Sequence, residues 1–362
     1  MNIENIKQFY AKHESAISPI ALLAGFITDS LTLTRADLWY NNFVIIFYLT
    51  VASITILLIN TRQVIYSHNN IFKKIINFAP IILQFSFGAL FSAFVVLYSR
   101  SASVIISWPF LFSLGGLFIG NEFFKERYLR LTFQISIFFI ALYSYFIFAL
   151  PLLLHEMSAS IFIISGLISL IFILFFILIF SRLAPEQIQK SRKLLILSIG
   201  GIYFIFNIFY FANIIPPIPL ILKENGVYHQ VERTTNNQYK ITLESSPWWH
   251  FFLKETPVIH WTRGEPVYIY SAIFSPTKLN MAIIHRWSYF NEQQKKWTIV
   301  SNIKYPIKGG RDGGYRGYSL KNNIMSGKWR VDVITERGQV LGRINFEIVE
   351  VGYPPELKTI LR

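Results

Sequence analysis

Between residues 309 and 318, Gly309, Gly310, Gly313 and Gly314 bracket Arg311 and Asp312, and Tyr315, Arg316 and Tyr318 follow. Backbone N–H groups in a glycine-rich turn can form a concave anion nest, and a guanidinium can grip phosphate or carboxylate through two parallel hydrogen bonds. No Gly-Lys-Ser/Thr closes the run, so it does not match a nucleotide-phosphate loop. The plainer reading is a wide hairpin connection in which Arg311 pairs with Asp312 or Asp332. His285, Trp287 and Tyr289 stand two apart and share one face of a strand. Facing outward, they could stack on a sugar ring. Facing inward, they would hold His285 hydrogen-bonded in a core. Arg330 and Asp332, which alternate with Trp329, Val331 and Val333, complete the ligand-binding candidates.

Other chemistry finds little footing. The chain has no cysteine, which removes disulfides, thiolate zinc sites and thiol nucleophiles. His250, His260 and His285 lack the paired spacing of metal ligands, and HEMSA at 155–159 lacks the second histidine of a zinc-protease helix. No nucleophile elbow occurs, and Ser319 with Lys321 does not make a catalytic pair. No metal and no cofactor is expected.

A second group of polar residues lies among apolar runs. Asp29, Arg35 and Asp37 surround the end of the first run, and His155 with Glu156 sits at a later boundary. Ionisable groups in a bilayer are functional candidates by default; the plainer reading is that these are interfacial, solvated and paired with neighbours. In SSPWWHFF (245–252), Trp248 and Trp249 either rest at a membrane interface or fill a core.

The elements that must position these groups are of two kinds. The chain is 53% hydrophobic and 15% charged, a balance that points to membrane spans rather than a water-soluble core. Apolar runs at 43–60, 75–98, 102–120, 131–154, 159–181 and 194–213 approach or exceed the length needed to cross the hydrocarbon layer. A weaker run at 17–34 contains Asp29. The polar opening MNIENIKQFYAKHES offers no cleavable signal, so the first span is expected to serve as an anchor. Pro216, Pro217 and Pro219 end the helical half. This predicts an all-α transmembrane domain of about seven helices over 1–222 and a soluble domain over 223–362.

Lysine and arginine crowd alternate connections: Arg62, Lys73 and Lys74; Lys125, Arg127 and Arg130; Arg182, Lys190, Arg192 and Lys193. The others hold Arg35, Arg100, or His155 with Glu156. The positive-inside rule places the rich connections in the cytoplasm and the C-terminal domain outside it, on the periplasmic side of a cell (inner) membrane. The N-terminus is inside only if 17–34 spans; the placement of the C-terminal domain does not depend on that.

After residue 223 the apolar period shortens to two. Stretches at 266–276, 280–290, 297–306, 327–335 and 339–349 are rich in Val, Ile, Tyr, Phe and Trp, and edge strands are expected around 227–232 and 238–244. ITERGQV makes a hairpin turn with Gly338 available for positive φ. About seven short strands predict a compact antiparallel β-sandwich. The His285/Trp287 pair, the stretch GGRDGGYRGYSLK and the pattern GKWRVDV…G…F together resemble the bacterial domain of unknown function family 2914, over roughly the last 100 residues of the chain. The resemblance implies a fold and a membrane-anchored member with helices ahead of the domain. It carries over no catalytic residue.

Three functions are compatible with these features. In the first, the helices anchor a non-catalytic β domain that binds an envelope glycan, an anionic lipid headgroup or another membrane protein. In the second, Asp29, Arg35, Asp37, His155 and Glu156 converge on one cavity of a membrane-embedded, transferase-like enzyme acting on a lipid-linked substrate. The third, a transporter or sensor, needs a polar path through the helices. Membrane lipids are partners in all three. Nucleic acid is not expected at such an address, despite a net charge of +14.

Overall fold

A computed structural model describes residues 23–33, 35, 37–61, 70–101, 104–121, 130–235, 238–244, 257–275, 280–308 and 314–362. The chain forms two compact units, with a break between Pro219 and Leu220. Trp248, Trp249, Arg311 and Asp312 lie outside the described residues.

The first unit is helical. Among the described residues it holds α1 (23–32), α2 (Trp39–Asn60), α3 (Asn70–Arg100), α4 (Val104–Gly120), α5 (Leu131–Leu154), α6 (Ala159–Leu183) and α7 (Pro185–Phe211). Apolar runs of this length become helices because each backbone N–H and C=O then finds its partner within the segment. Five helices, α2, α3, α5, α6 and α7, are long and apolar enough to cross a membrane, while α4 is a shorter apolar helix. The run expected at 17–34 is described only in part. α7 starts at Pro185 rather than at the apolar boundary of 194. Pro185 suits a first helical turn, and the polar residues after it are good helix formers that a search for apolar runs passes over.

Hydrogen bonds between helix ends show how the chain runs. At one end, Gln134 Oε1 at the start of α5 accepts from Asn60 Nδ2 at the end of α2 (2.5 Å), and Gln187 Nε2 in the first turns of α7 donates to the Asn60 carbonyl (3.2 Å). At the other, Arg100 Nη2 closing α3 donates to the Ser30 carbonyl of α1 (2.6 Å), and Tyr40 OH opening α2 donates to the Thr32 carbonyl (2.5 Å). Tyr210 OH in the last turn of α7 donates to the carbonyl of Ser158, the N-cap of α6 (3.1 Å). The helices therefore alternate in direction. The end of α2 and the starts of α5 and α7 lie on one side. The ends of α1 and α3, the starts of α2 and α6 and the end of α7 lie on the other.

The second unit is β-rich: β1 (Ile221–Tyr228), β2 (Gln230–Arg233), β3 (Tyr239–Glu244), β4 (Val258–Trp261), β5 (Val267–Phe274), β6 (Asn280–Asn291), β7 (Lys296–Lys308), β8 (Tyr315–Lys321), β9 (Gly327–Thr335), β10 (Val340–Glu350) and β11 (Leu357–Leu361). They form sheets ordered β1-β5-β8, β4-β10-β9-β6-β7 and β11-β3-β2. Val227, Val267 and Ile269 from the first sheet share a core with Trp287, Trp329, Val331, Phe346 and Ile348 from the five-stranded sheet. On its other face the first sheet offers Tyr270 and Ala272 to Val231, Tyr239 and Ile241 of the third. β5 is thus covered on both faces, which is why VYIYSAIF is almost continuously apolar.

The sequence-based expectation of about seven antiparallel strands is corrected to eleven among the described residues, with β4 running parallel to β10. The added strands β4 and β11 are four and five residues long, too short for an alternating pattern to show, and the edge strand expected around 227–232 is divided between β1 and β2. β8 follows the glycine run and reads from sequence as loop. The β9–β10 turn has Gly338 at φ 84°, and the Gly338 N–H donates to the Thr335 carbonyl.

Candidate functional site

Strand alternation divides the five-stranded sheet into a core face and an outer face. On the core face, His285 and Trp287 of β6 are both fully buried, at 0% exposure. His285 Nε2 lies 3.0 Å from Ser271 Oγ on β5 and 3.2 Å from Tyr305 OH on β7, while Nδ1 lies 2.8 Å from Ser319 Oγ on β8. The Trp287 indole N–H donates to the same Ser319 oxygen (3.1 Å), and Ser271 Oγ and Tyr305 OH are 2.5 Å apart. Burial pushes His285 down to about 3 and pushes the Tyr305 phenol up. The imidazole is therefore neutral, donating at one nitrogen and accepting at the other. A histidine between two serines has the parts of a nucleophile and its base. Here solvent cannot reach either serine, and each ring nitrogen is held by hydroxyl groups rather than by an orienting carboxylate. The cluster ties the five-stranded sheet to β5 and β8. Tyr289 lies half-buried on the same face, its ring 5.2 Å from Trp329 and its hydroxyl donating to the Ser326 carbonyl (3.3 Å).

The outer face is basic. Register places Arg286 of β6 opposite Asp332 of β9, and Asp332 opposite Arg343 of β10. Arg330 lies two residues before Asp332 and so on the same face. Arg343 grips both oxygens of Asp332, Nε to Oδ1 at 2.5 Å and Nη2 to Oδ2 at 3.1 Å. That occupies the carboxylate. Arg286 has one long hydrogen bond, from Nε to Asn302 Oδ1 (3.3 Å). Arg330 Nε is buried without a hydrogen-bond partner among the described residues. Burial, and then the Arg343 charge, lower the Arg330 guanidinium, against the opposing pull of Asp332. Its Cζ sits 4.3 Å over the Trp297 ring, which packs 5.2 Å from Phe290. Three guanidiniums thus lie around one carboxylate, which Arg343 holds, beside an aromatic pair.

The remaining candidates are dispersed. Tyr315 is half-buried opposite Ile273. Arg316 lies opposite Ala272, and its carbonyl accepts from Tyr239 OH (2.9 Å). Tyr318 packs 6.0 Å from Tyr268. In the helical unit Asp29 bonds Ser92 of α3, and Arg35 pairs with Asp37 through Nη2–Oδ2 (2.6 Å) and Nε–Oδ1 (3.0 Å). His155 ends α5 in a left-handed conformation, and it and Glu156 are exposed. Arg35–Asp37 is the pairing the described residues show among these five. Among His, Cys, Asp and Glu of the described residues, no group of three could hold a metal ion.

Arg286, Arg343 and Trp297 are functional candidates that sequence reasoning passed over. Alternation from a buried His285 would have turned Arg286 outward. Nothing local says that β6, β9 and β10 lie side by side, and that adjacency brings the arginines together.

The family described as "Protein of unknown function (DUF2914)" matches residues 280–348, which span β6 to β10 and so include both faces just described. No curated protein matches the sequence. Among solved structures, the chain is similar at 9% identity to Pseudomonas fluorescens alkylpurine DNA glycosylase AlkC bound to DNA containing an abasic site analog, over 87% of this chain and 99% of that one. The TM-score is 0.22, which carries no argument about fold or activity.

Proposed function

We propose that this chain is a multi-pass inner-membrane protein with about seven spans, and that its C-terminal half is a β-sandwich held outside the cytoplasm as a non-catalytic binding domain. Long apolar helices support insertion, and so do their bare apolar faces: Phe172 and Phe175 of α6 and Leu197 and Phe204 of α7 are more than half exposed. The observation that carries the orientation is the segregation of charge. Among the described residues, Arg130 at the start of α5, Arg182 at the end of α6 and Lys190, Arg192 and Lys193 in the first turns of α7 lie on one side of the helical unit, and α7 exits on the other; the sequence adds Arg62, Lys73, Lys74, Lys125 and Arg127 between the apolar runs that precede them. Positively charged connections stay in the cytoplasm. A binding role is favoured over catalysis because the serine–histidine cluster is buried, whereas Arg286, Arg330 and Arg343 on the basic sheet face are partly exposed.

The absence of native cysteine makes the test direct. Lys193→Cys and Lys358→Cys, introduced singly, are exposed to a membrane-impermeant maleimide in spheroplasts. Cys at 358 is expected to label in intact spheroplasts, and Cys at 193 only after lysis. The reverse pattern overturns the orientation.

A further inference from the structure

We infer that the outer face of the five-stranded sheet is a binding site for a carboxylated glycan, with Arg286 and Arg330 gripping the carboxylate and the Trp297 side of the sheet supporting the sugar ring. The inference deepens the binding role proposed above and takes the source of the glycan, the cell envelope, from the outward orientation.

The site is built from three strands. Arg286 and Arg330 are diagonal neighbours on adjacent strands, with Cα atoms roughly 7–8 Å apart by sheet geometry, so both guanidiniums can reach one oxyanion between them. Neither forms a described ion pair: Asp332, beside them, has both oxygens taken by Arg343. Arg330 Nε is shielded from solvent, so a ligand meets the outer end of this partly exposed side chain. There the planar pair of oxygens of a carboxylate matches the guanidinium fork.

The rest of the surface is suited to sugar. Trp297 and Phe290 form an aromatic patch beside Arg330, and Ile299, two residues along β7 from Trp297, is 55% exposed. Aromatic faces pack against the C–H groups of a pyranose while charged groups hold its substituents. Lys304 pairs with Glu336 at one side of the face, and Lys328, with Glu292, lies 5.9 Å from Phe290 at the other, so the positive charge without a described ion-pair partner lies at Arg286 and Arg330. A singly charged carboxylate on a sugar suits this pair, and Asp332 beside it disfavours a doubly charged phosphate.

The test uses the full chain in phosphatidylcholine nanodiscs, titrated with oligogalacturonate and with neutral maltohexaose. Oligogalacturonate is expected to bind at least tenfold tighter. Arg286→Gln and Arg330→Gln should each weaken it at least tenfold, while Lys358→Gln on β11 changes it less than twofold. Arg330→Lys keeps the charge and the packing over Trp297 but loses the fork, and should also weaken binding, which separates recognition from misfolding. Several results would overturn the site: equal affinity for maltohexaose, undiminished binding by the arginine variants, an equal loss in Lys358→Gln, or no binding of oligogalacturonate. Capture of the protein by vesicles of 30% phosphatidylglycerol without affinity for the oligosaccharide would assign the face to lipid instead. Failure of the orientation appears in the maleimide pattern and failure of the site in these titrations, so the two are separable.

Discussion

Burial decides the protonation of His285. Its folded value of about 3 lies below the ordinary histidine value of 6.5 because the charged ring would lose its water. Between those values the unfolded chain binds a proton that the folded chain does not, so stability is fully present above pH 6.5 and falls as pH drops through that window. The slope is up to about 1.4 kcal/mol per pH unit. Melting of the β unit, followed by tryptophan fluorescence, should therefore fall from pH 7 to pH 4, and His285→Gln should flatten the fall. An unchanged slope in the variant would show that another group titrates. His285→Leu removes a partner from Ser271 and Ser319 at once and should destabilise by about 3 kcal/mol at pH 7. On the opposite face, Asp332→Asn removes the ion-pair partner of Arg343 and the attractive charge beside Arg330. A loss of about 1–3 kcal/mol is expected, narrowing as salt screens the repulsion; a gap that salt does not change would speak against repulsion as its cause.

At the scale of elements, the sheets are joined by few polar contacts, each placed where strands approach. Glu244 at the end of β3 accepts from His229 Nε2 (3.0 Å), from His260 Nδ1 (2.7 Å) and from the His260 backbone N–H (2.6 Å), tying β3 to β4. Burial raises this carboxyl, but the hydrogen bonds from both histidines together outweigh it and hold the group below its usual range. Its contribution is present above about pH 4.5 and is lost below, a window lower than that of His285. Close approach of backbone to ring is the other device. A Cβ on Gly317 of β8 would overlap the Tyr305 ring, which is itself bonded into the His285 cluster. Gly317→Ala should cost about 1–3 kcal/mol, and much of that should vanish in a Tyr305→Ala background, as measured by a double-mutant cycle. Additive losses would mean that the two do not meet.

At the scale of the whole molecule, the proposed orientation rests on a charge difference between the two ends of the helical unit. Neutralising Arg182, Lys190, Arg192 and Lys193 together removes the bias next to the last two helices. A mixed population is expected, read as partial labelling of Cys at 193 in intact spheroplasts together with reduced labelling of Cys at 358. Retention of a single orientation would show that the earlier connections suffice.

Much of this was open to reading along the chain. Apolar runs long enough to span, the switch to a two-residue period, the hairpin at Gly338 and the C-terminal resemblance to family 2914 are all local properties. Hydropathy, alternation and turn chemistry are carried by neighbouring residues and need no knowledge of the fold. The α7 start, the short strands β4 and β11, the strand that follows the glycine run and the parallel β4–β10 pair were not legible, because they depend on what packs against them. The same holds for the sites. His285 and Trp287 were visible as a pair, and Arg330 with Asp332 as an alternation, but sequence alone could not say which face was inside. Only the packing of the five-stranded sheet against β5 and β8 turned His285 inward to Ser271 and Ser319. Only the order β10-β9-β6-β7 gathered Arg286, Arg330, Arg343 and Trp297, residues up to 57 positions apart, into one surface. Strand order is set by long-range pairing, which no short window of sequence records.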